Sequence, residues 1–435
     1  MTLNQVRKAI LVFSLVIISA FGGFWLGQRK IAVEFEHYQP KIILQRQVPP
    51  GKEDVDFSLF WDVWDKVSNS YFEKKAVDPA KMIYGAISGM VSSLGDPYTV
   101  FLPPQENSQA KEDLSGAFDG VGIQLGYKDS KLAVIAPLVG SPAEKAGVKA
   151  GDFILKIVDE KKGINKETTE MPLPEAVTLI RGERGTPVKL TLARQSEERP
   201  IEVTIVRDTI LVKSVEVEFI ENPQGKIAHL KLLRFGERTN QEWEEAISEI
   251  QRYKDTNLPA GKAGIQSNFG GVILDLRNNP GGFLQGAVWI ASEFLDKGVV
   301  VQEDQGKDGK ESFSVNRQGN LLNTPLVILV NQGSASAAEI VAGALWERGR
   351  AKLVGEKTFG KGTIQEAQDL KNGAGLHLTI ARWLLPSGKS IDKEGLKPDF
   401  EVKPDEKDLP AEASAQVGQT KDLQLEKAIE VLLEL

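Results

Sequence analysis

The stretch Asn-Gln-Gly-Ser-Ala-Ser-Ala-Ala-Glu at residues 331–339 decides how the rest of the chain is interpreted. It follows an apolar run, residues 326–330, that predicts a buried strand, and it leads into an apolar segment, residues 337–346, that predicts a helix. A sharp strand-to-helix turn leaves free backbone N–H groups at a helix N-terminus, which favours anionic chemistry. A serine exposed there has amides beside it that can hold an oxyanion, so Ser334 and Ser336 are candidate nucleophiles. The alternative is that either serine only caps the helix, which is the commoner role of serine at such a position.

The composition of the 435-residue chain is that of a globular protein with about two or three domains. Its formal net charge of -7 argues against nucleic-acid binding, because phosphate recognition needs a basic surface. The absence of cysteine excludes disulfides, thiol nucleophiles and thiolate metal sites. The sequence has no metal-ligand spacing either, so we expect neither a metal nor an organic cofactor.

An uncharged apolar run, residues 9–26, follows Arg7 and Lys8 near the N-terminus. As a helix it would span roughly 27 Å, which is near the thickness of a bilayer core. We therefore expect a cytoplasmic segment over residues 1–8 and a transmembrane signal-anchor over residues 9–27. The rest of the chain would then lie outside the cytoplasm, in a bacterial periplasm or at the outer face of the cytoplasmic membrane. A cleaved signal peptide is the alternative.

Residues 28–54 contain scattered prolines and predict a linker. Two helical patterns follow within residues 55–114. One is a stripe of aromatic residues within residues 57–64, and the other is an apolar pattern over residues 82–94. Together they predict an N-terminal helical region, in which the aromatic stripe is interpreted as core or docking surface.

Residues 115–207 change to short alternating strands separated by glycine-rich turns. This order resembles a PDZ domain, in which amides of a glycine turn bind a peptide's C-terminal carboxylate while the adjoining strand pairs with its tail. The residues that the resemblance places at the carboxylate are Val121, Gly122 and Ile123. Leu179 would line the apolar pocket, and Arg181 could help to hold the carboxylate, although a solvated helix-end charge is its alternative role. A β-rich domain whose glycines only make turns is the alternative for the whole region.

Residues 208–404 alternate apolar strands with helices, which predicts an α/β layer built from βαβ units. The predicted strands are residues 227–233, 272–276, 299–302, 326–330 and 351–354, and the predicted helices are residues 242–253, 287–294 and 337–346. A loop-like stretch over residues 254–269 is interpreted as an insertion. Residues 405–435 predict a polar spacer followed by a short amphipathic helix.

A serine hydroxyl is a weak nucleophile unless a neighbouring base takes its proton. None of the three histidines stands in a motif: His37 falls in the linker, and His229 and His377 alternate with apolar residues in strand-like segments. Asp275 ends a predicted strand, where an ion pair with a nearby arginine is expected. Lys361 lies between two glycines after a predicted strand and is the remaining base, provided that burial lowers its pKa. A solvent-exposed lysine is the alternative.

Several motifs, taken in chain order, resemble those of the carboxyl-terminal processing proteases, which are tail-specific serine peptidases. They are Gly95-Asp96-Pro97-Tyr98-Thr99, the PDZ-like region, Leu-Asp-Leu-Arg-Asn-Asn-Pro-Gly-Gly at 274–282, Gly-Ser-Ala-Ser-Ala-Ala-Glu at 333–339 and Gly-Lys-Gly-Thr-Ile-Gln at 360–365. The resemblance extends from residue 57 to about residue 402. It implies an α/β core of the crotonase or ClpP type, into which the PDZ domain is inserted.

The resemblance also implies roles for individual residues. The nucleophile would be Ser336, the general base Lys361, and the residue that orients the lysine Gln365. The backbone oxyanion donors would be Ala337 and Gly282, which leaves the other serine of the turn as a packing or capping residue.

The function that follows is a serine endopeptidase that recognises a protein's C-terminal tail through its PDZ domain and cleaves near it through an acyl-enzyme. Its expected partners are protein substrates with flexible apolar tails and the membrane, through the N-terminal helix. A homodimer and an adaptor protein are further partners that the sequence allows. A catalytically silent, membrane-anchored PDZ scaffold that binds protein C-termini is the alternative, and an enzyme acting on acyl-CoA is a more distant one.

Overall fold

The computed structural model describes residues 31–36, 39–44, 56–128, 130–223, 225–256, 269–403 and 422–435. The chain divides into two units, residues 1–83 and residues 84–435. The predicted transmembrane segment and most of the predicted insertion lie outside the described residues. Within the ranges given, no helix has both the length and the apolar character needed to cross a bilayer.

The first unit contains a hairpin and a helix. Strands β1 (Ile31–Glu36) and β2 (Gln39–Leu44) pair in antiparallel fashion, so part of the segment predicted as a linker is regular structure. Both segments carry β-branched residues, whose preference for strands outweighs the proline in β2. Helix α1 (Ser58–Ser70) carries the predicted aromatic stripe. Helix α2 (Pro79–Ser92) forms where the apolar pattern predicted a helix. The boundary between the two units falls within it.

Strand β3 (Val100–Leu102) and helix α3 (Pro104–Ser115) precede the PDZ-like region. The helix was not predicted, because its sequence is largely polar and shows no clear apolar stripe. It ends at Gly116, whose φ of 67° is the left-handed conformation that glycine adopts without strain.

The PDZ-like region forms a sheet in the order β10-β9-β7-β6-β5, with β8 paired to β7. Its strands and helices are β4 (Ala117–Gly120), β5 (Ile123–Lys128), β6 (Lys131–Pro137), α4 (Pro142–Lys145), β7 (Phe153–Asp159), β8 (Ile164–Glu167), α5 (Leu173–Ile180), β9 (Pro187–Ala193), β10 (Ile201–Val206) and β11 (Asp208–Leu211). Strands β4 and β11 pair with each other, and they flank the region in sequence. Ser141 caps α4, since its hydroxyl accepts a hydrogen bond from the N–H of Glu144.

The core of the second unit is a sheet in the order β12-β13-β14-β17-β18-β21. Its members are the strands β12 (Val215–Ile220), β13 (Lys226–Leu232), β14 (Phe269–Asp275), β17 (Leu326–Val330), β18 (Lys352–Gly355) and β21 (Phe400–Glu401). All pairs except β12 with β13 are parallel. The helices α6 (Thr239–Thr256), α7 (Leu284–Ala291) and α8 (Ala337–Glu347) alternate with these strands. The predicted βαβ architecture is therefore confirmed.

A second, antiparallel sheet was not predicted. It has the order β16-β15-β20-β19 and consists of β15 (Val299–Asp304), β16 (Lys310–Ser314), β19 (Thr363–Asp369) and β20 (Gly375–Leu384), with β3 paired to β20. The strand predicted at residues 299–302 exists, but it belongs to this sheet and not to the parallel layer. Its sequence shows that it is a strand without showing which strand it pairs with.

The C-terminal helix α9 (Leu423–Leu433) covers one face of the parallel sheet. Its buried Val431 and Leu432 belong to the same apolar cluster as Ile273 and Leu329 of the strands. At the end of β14, Arg277 bridges Asp275 at 2.6 Å and Asp422 at 2.9 Å. The ion pair expected at this strand end is therefore confirmed, and it also ties α9 to the sheet.

Candidate active site

Ser336 stands at the sharp turn between β17 and α8. Its φ of 53° and ψ of -117° are a strained conformation for a residue other than glycine. Such strain persists only where surrounding contacts enforce it, and it is found most often at functional sites. Here the backbone N–H of Ser336 donates to Oε2 of Glu339 at 2.9 Å, one turn further along α8. The side chain is half-buried at the carboxyl edge of the parallel sheet.

Ser334 has a structural role. Its side chain is fully buried, and its Oγ donates to the carbonyl of Leu276 at 2.8 Å. The same oxygen accepts a hydrogen bond from the N–H of Asn331 at 3.0 Å. Because these bonds join the turn to the end of β14, Ser334 holds the turn in place, as expected for a packing or capping residue.

Lys361 lies in the loop that follows β18, and its backbone is held on both sides. Its N–H donates to Glu339 Oε2 at 2.9 Å, and its carbonyl accepts from Nε1 of Trp383 at 2.8 Å. Its Nζ lies 5.0 Å from the ring centroid of Tyr98. Burial lowers the pKa of Lys361, and the negative charges of Asp96 and Glu339 oppose this shift without cancelling it. The lysine is therefore partly buried, as a general base requires.

Glu339 joins the serine turn to the lysine loop. Its carboxylate is fully buried and accepts hydrogen bonds from the Thr358 hydroxyl at 2.6 Å and the Gly360 N–H at 2.7 Å. It also accepts the two bonds from the backbone N–H groups of Ser336 and Lys361. Burial raises the pKa of Glu339, and these four hydrogen bonds act in the opposite direction. One carboxylate thus fixes both candidate catalytic residues by their backbones.

The backbone N–H groups of Ser336 and Lys361 donate to the same carboxylate, but their side chains are not bonded to each other. Among the described residues, no hydrogen bond joins Ser336 Oγ to Lys361 Nζ. Catalytic hydrogen bonds are often long or poorly aligned without a substrate and tighten in the complex.

The Pro-Gly-Gly turn packs directly against the serine turn. A Cβ added at Gly281 would lie 2.8 Å from Ser336 Cβ and 3.0 Å from Ala337 N, so only glycine fits there. The N–H of Gly281 donates to Asn279 at 2.9 Å. Within the described part of the chain, the N–H groups of Ala337 and Gly282 donate to no other protein group. The two amides predicted as oxyanion donors are thus free to receive a ligand oxygen.

Gln365 lies on β19 with its side chain directed at two threonines. Its Nε2 donates to Thr363 Oγ1 at 2.9 Å and to Thr379 Oγ1 at 3.1 Å. Asp96 and Tyr98 belong to the Gly-Asp-Pro-Tyr-Thr motif, to which the sequence assigned no role, and in the structure both lie near Lys361. The sequence could have indicated a role for these two residues, because their motif is one of several that contain candidate catalytic residues.

Of the histidines that the structure describes, His229 and His377, neither makes a hydrogen bond to Ser336. His229 is buried, and its Nε2 lies 2.9 Å from Asp275 Oδ2, where it helps to satisfy that carboxylate. His377 lies on β20, and burial together with the positive charge of Lys361 lowers its pKa. His37 lies outside the described residues. Across the described ranges, no group of three or more acidic, histidine or cysteine side chains is placed to hold a metal ion.

The predicted tail-binding residues lie around β5 and α5. Val121 is buried, Gly122 has a φ of 73°, and Ile123 begins β5. Leu179 on α5 is half-buried and, like Ile123, packs against the core of this region. Arg181, just beyond α5, is already in contact with other side chains.

Two contacts hold Arg181. Its guanidinium lies 3.0 Å from the Glu112 carboxylate of α3 and 4.2 Å from the ring centroid of Phe118. It also lines a cavity of about 690 Å³ between α5 and α3, together with Leu173 and Val177. A ligand carboxylate reaching Arg181 would therefore meet an existing ion pair.

Comparisons with known proteins find related proteins by sequence and by structure. Family models match as peptidase family S41 over residues 226–402, as a PDZ domain over residues 134–194, and as the N-terminal domain of the activating protease CtpB over residues 16–105. The chain is 37% identical to the carboxy-terminal processing protease CtpA of Bacillus subtilis (strain 168), covering 85% of this chain and 73% of that protein. It is 34% identical to the carboxyl-terminal-processing protease of Picosynechococcus sp. (strain ATCC 27264 / PCC 7002 / PR-6), covering 99% and 96%.

Among solved structures, a Bacteroides fragilis NCTC 9343 protein assigned to the S41 proteases matches with a TM-score of 0.53 at 18% identity, covering 84% of this chain and 95% of that one. At this identity the match supports the fold. Because whole-length relatives share more than a third of their residues with this chain over most of its length, the chain belongs to the carboxyl-terminal processing proteases, which are serine peptidases of family S41.

Proposed function

We propose that this peptidase cleaves proteins near their C-termini with Ser336 as its nucleophile and Lys361 as its general base. The observation that carries the proposal is the Glu339 carboxylate, which accepts hydrogen bonds from the backbone N–H groups of both residues. A lysine can act as a base at neutral pH only if it loses its proton readily, and burial of Lys361 acts in that direction.

The reaction follows from these positions. Lys361 in its neutral form takes the proton from Ser336 Oγ as the oxygen bonds to the scissile carbonyl carbon. The tetrahedral oxyanion accepts hydrogen bonds from the free N–H groups of Ala337 and Gly282. When it collapses, the C–N bond breaks, protonated Lys361 gives its proton to the leaving amine, and an acyl-enzyme remains. Water, deprotonated by Lys361, then releases the acyl group and restores the serine.

Gln365 is the residue that orients the lysine in this scheme. Its amide nitrogen is engaged by two threonine hydroxyls, which leaves its carbonyl oxygen as the acceptor available to the lysine ammonium or amine. The interaction would hold Nζ towards the serine during both proton transfers.

Tail recognition is assigned to the PDZ domain. The carboxylate of a substrate would be held by backbone amides at Val121, Gly122 and Ile123, and its tail would add to β5. By resemblance to PDZ domains, Leu179 would border an apolar pocket between β5 and α5, and such a pocket would favour an apolar last residue. Arg181, at the end of α5, would add positive charge to this site only when a substrate carboxylate displaces Glu112 from its guanidinium. Flexible C-terminal tails are suitable substrates, because only an unfolded tail can extend from the PDZ domain into the active site.

The apolar N-terminal run supports a location at a membrane, with the peptidase on the extracytoplasmic side. A homodimer and an adaptor protein remain proposals of the same kind, motivated by the aromatic stripe of α1, whose residues are partly exposed, and by the family. Fractionation of cells that express the full chain would test the location, since release by salt washing would exclude an anchor.

A cleavage assay tests the chemistry. Ser336→Ala and Lys361→Ala should cleave an unfolded protein with an apolar tail at least ~100-fold more slowly than the wild type. Ser334→Ala is the matched control: it should unfold more easily, yet cleave at a rate near that of the wild type while folded. Wild-type activity in Ser336→Ala would exclude the proposal.

The same assay tests the role of the tail. Amidation of the C-terminal carboxylate should reduce cleavage by raising KM, because the PDZ amides then face a neutral group. Binding of the free tail without any cleavage by the wild type would favour a silent scaffold.

A further inference from the structure

Asn279 lies where three segments around the candidate active site meet, and it is fully buried. Its Nδ2 donates to the carbonyl of Leu232 at the end of β13 at 2.6 Å. Its Oδ1 accepts from the N–H of Gly281 at 2.9 Å, and its backbone carbonyl accepts from the N–H of Ala335 at 2.9 Å. One asparagine therefore joins β13, the Pro-Gly-Gly turn and the serine turn.

The orientation of the Asn279 amide is fixed by what its two partners offer. Leu232 presents a carbonyl, which only accepts, and Gly281 presents an N–H, which only donates. The amide nitrogen must therefore face Leu232, and the amide oxygen must face Gly281. Reversal of the amide would place two acceptors together at one end and two donors together at the other.

The turn that Asn279 holds contains two consecutive glycines. Gly281 has a φ of 98° and Gly282 a φ of 138°, both in the region that favours glycine. Glycine adopts positive and negative φ about as readily, so a Gly-Gly segment by itself has several conformations. Contacts from outside the two glycines have to select the conformation that the site uses.

Gly281 is held at both of its polar groups. Asn279 holds its N–H, and its carbonyl accepts from the N–H of Phe235 at 2.9 Å. The carbonyl and the following N–H point in opposite directions in a trans peptide, so the N–H of Gly282 points away from Phe235. A Cβ added at Gly281 would lie 2.8 Å from Ser336 Cβ, so this turn lies directly against the proposed nucleophile.

We propose that Asn279 is a positioning residue that fixes the Pro-Gly-Gly turn so that the N–H of Gly282 faces the oxyanion. This role rests on the proposed function, in which the N–H groups of Gly282 and Ala337 hold that oxygen. The bond from Ala335 to the Asn279 carbonyl keeps the two donors at a set spacing, because Ala335 and Ala337 lie in one turn. Without the Asn279 side chain, one of the two bonds that fix Gly281 is lost, and the Gly282 N–H no longer keeps its direction.

The test compares transition-state binding with ground-state binding. On a peptide with a free apolar C-terminus, Asn279→Ala should lower kcat by about 10-fold and leave KM nearly unchanged. The expected loss is smaller than the ~10²–10³ of a deleted oxyanion donor, because the donor is displaced and not removed. The affinity for a peptide aldehyde should fall by a similar factor, since Ser336 Oγ gives its proton to Lys361 and adds to the aldehyde carbon, whose oxygen then occupies the oxyanion site. In a Ser336→Ala background, Asn279→Ala should leave the affinity for the substrate peptide unchanged.

Asn279→Asp is a second variant, which fills the same volume and keeps an acceptor for Gly281. It loses the donor to Leu232, and its negative charge would lie beside the oxyanion site. We therefore expect kcat and the aldehyde affinity to fall at least as far as in Asn279→Ala. If Asn279→Ala does not fold, this variant decides the test by the same two measurements.

Leu432→Ala is the matched control for a loss of stability. A Cβ added at Gly271, in the first half of β14, would lie 3.0 Å from Leu432 Cδ1, whereas Asn279 follows the other end of that strand. The control should unfold more easily but keep the wild-type kcat and aldehyde affinity. Melting curves must show that each variant is folded at the assay temperature. Wild-type kcat in a folded Asn279 variant, or a lower kcat with wild-type aldehyde affinity, overturns this inference. If Ser336→Ala or Lys361→Ala were active, the proposed function itself would fail.

Discussion

Replacement of Glu339 should separate the two halves of the candidate active site. Each carboxylate oxygen accepts two hydrogen bonds: Oε1 from Thr358 and Gly360, and Oε2 from Ser336 and Lys361. In Glu339→Ala all four donors lose their acceptor in a buried site. An unsatisfied buried donor costs about 1–3 kcal/mol, but losses within one network are not additive, and we expect about 3–5 kcal/mol in total.

Glu339→Gln has the same shape and provides a sharper test. The amide nitrogen of the new glutamine must replace one of the two carboxylate oxygens. In either position this N–H donor would face at least one backbone N–H, which is a donor as well. The orientation with less conflict puts the nitrogen towards Thr358, whose hydroxyl can reverse, while the Gly360 N–H is left unpaired. We therefore expect about 1–3 kcal/mol lower stability than the wild type.

Urea unfolding measures the loss of stability, and kcat for cleavage of a peptide with a free C-terminal tail measures the loss of activity. At temperatures where both variants are folded, kcat should fall in the order wild type, Glu339→Gln, Glu339→Ala, because the serine and lysine backbones lose their common acceptor. If Glu339→Ala unfolds at the wild-type urea concentration and cleaves at the wild-type rate, Glu339 does not hold the two halves of the site together.

Three further predictions test the scaffold around the site. Gly281→Ala should abolish cleavage, since its Cβ would lie 2.8 Å from the Cβ of the proposed nucleophile, whereas Gly85→Ala, with open space around it, should be active and up to about 1 kcal/mol more stable. Leu432→Ala should cost about 2–5 kcal/mol of unfolding free energy because that side chain is 2% exposed, whereas Leu435→Ala, at 64% exposed, should change little. Hydrogen bonds from His229 and Arg277 overcome burial and lower the pKa of Asp275 from 3.8 to about 2, so its stabilisation is present above pH 3.8 and is lost as the pH falls through about 2. Urea unfolding should therefore show the advantage of the wild type over Asp275→Asn shrinking by roughly 2 kcal/mol across this range, and a constant difference would contradict the assignment.

The strand-to-helix turn at Ser336 is the part of the site that the sequence predicted best. A run of five apolar residues followed by small residues and a periodic apolar helix defines β17, the turn and α8 almost to the residue. The choice between the two serines could not be made locally, because both precede the helix. In the structure, burial and two hydrogen bonds mark Ser334 as a structural residue.

The antiparallel sheet and its contacts could not be predicted in this way. Periodicity identifies a strand but not its partner, and the relevant contacts join distant segments. The bond between Thr379 and Thr99 spans 280 positions, and that between Lys111 and Asp369 spans 258. Glu339 was visible only as one letter of a motif, since its function depends on a loop 21 residues further along.

The most direct test of the central claim is to find which side chain becomes acylated. The protein is treated with a serine-directed acylating reagent, digested, and analysed by mass spectrometry, with Lys361→Ala labelled in parallel under the same conditions. We expect a single labelled serine, Ser336, with much slower labelling in Lys361→Ala. Label on Ser334, or labelling of Ser336 at the same rate without the lysine, would contradict it.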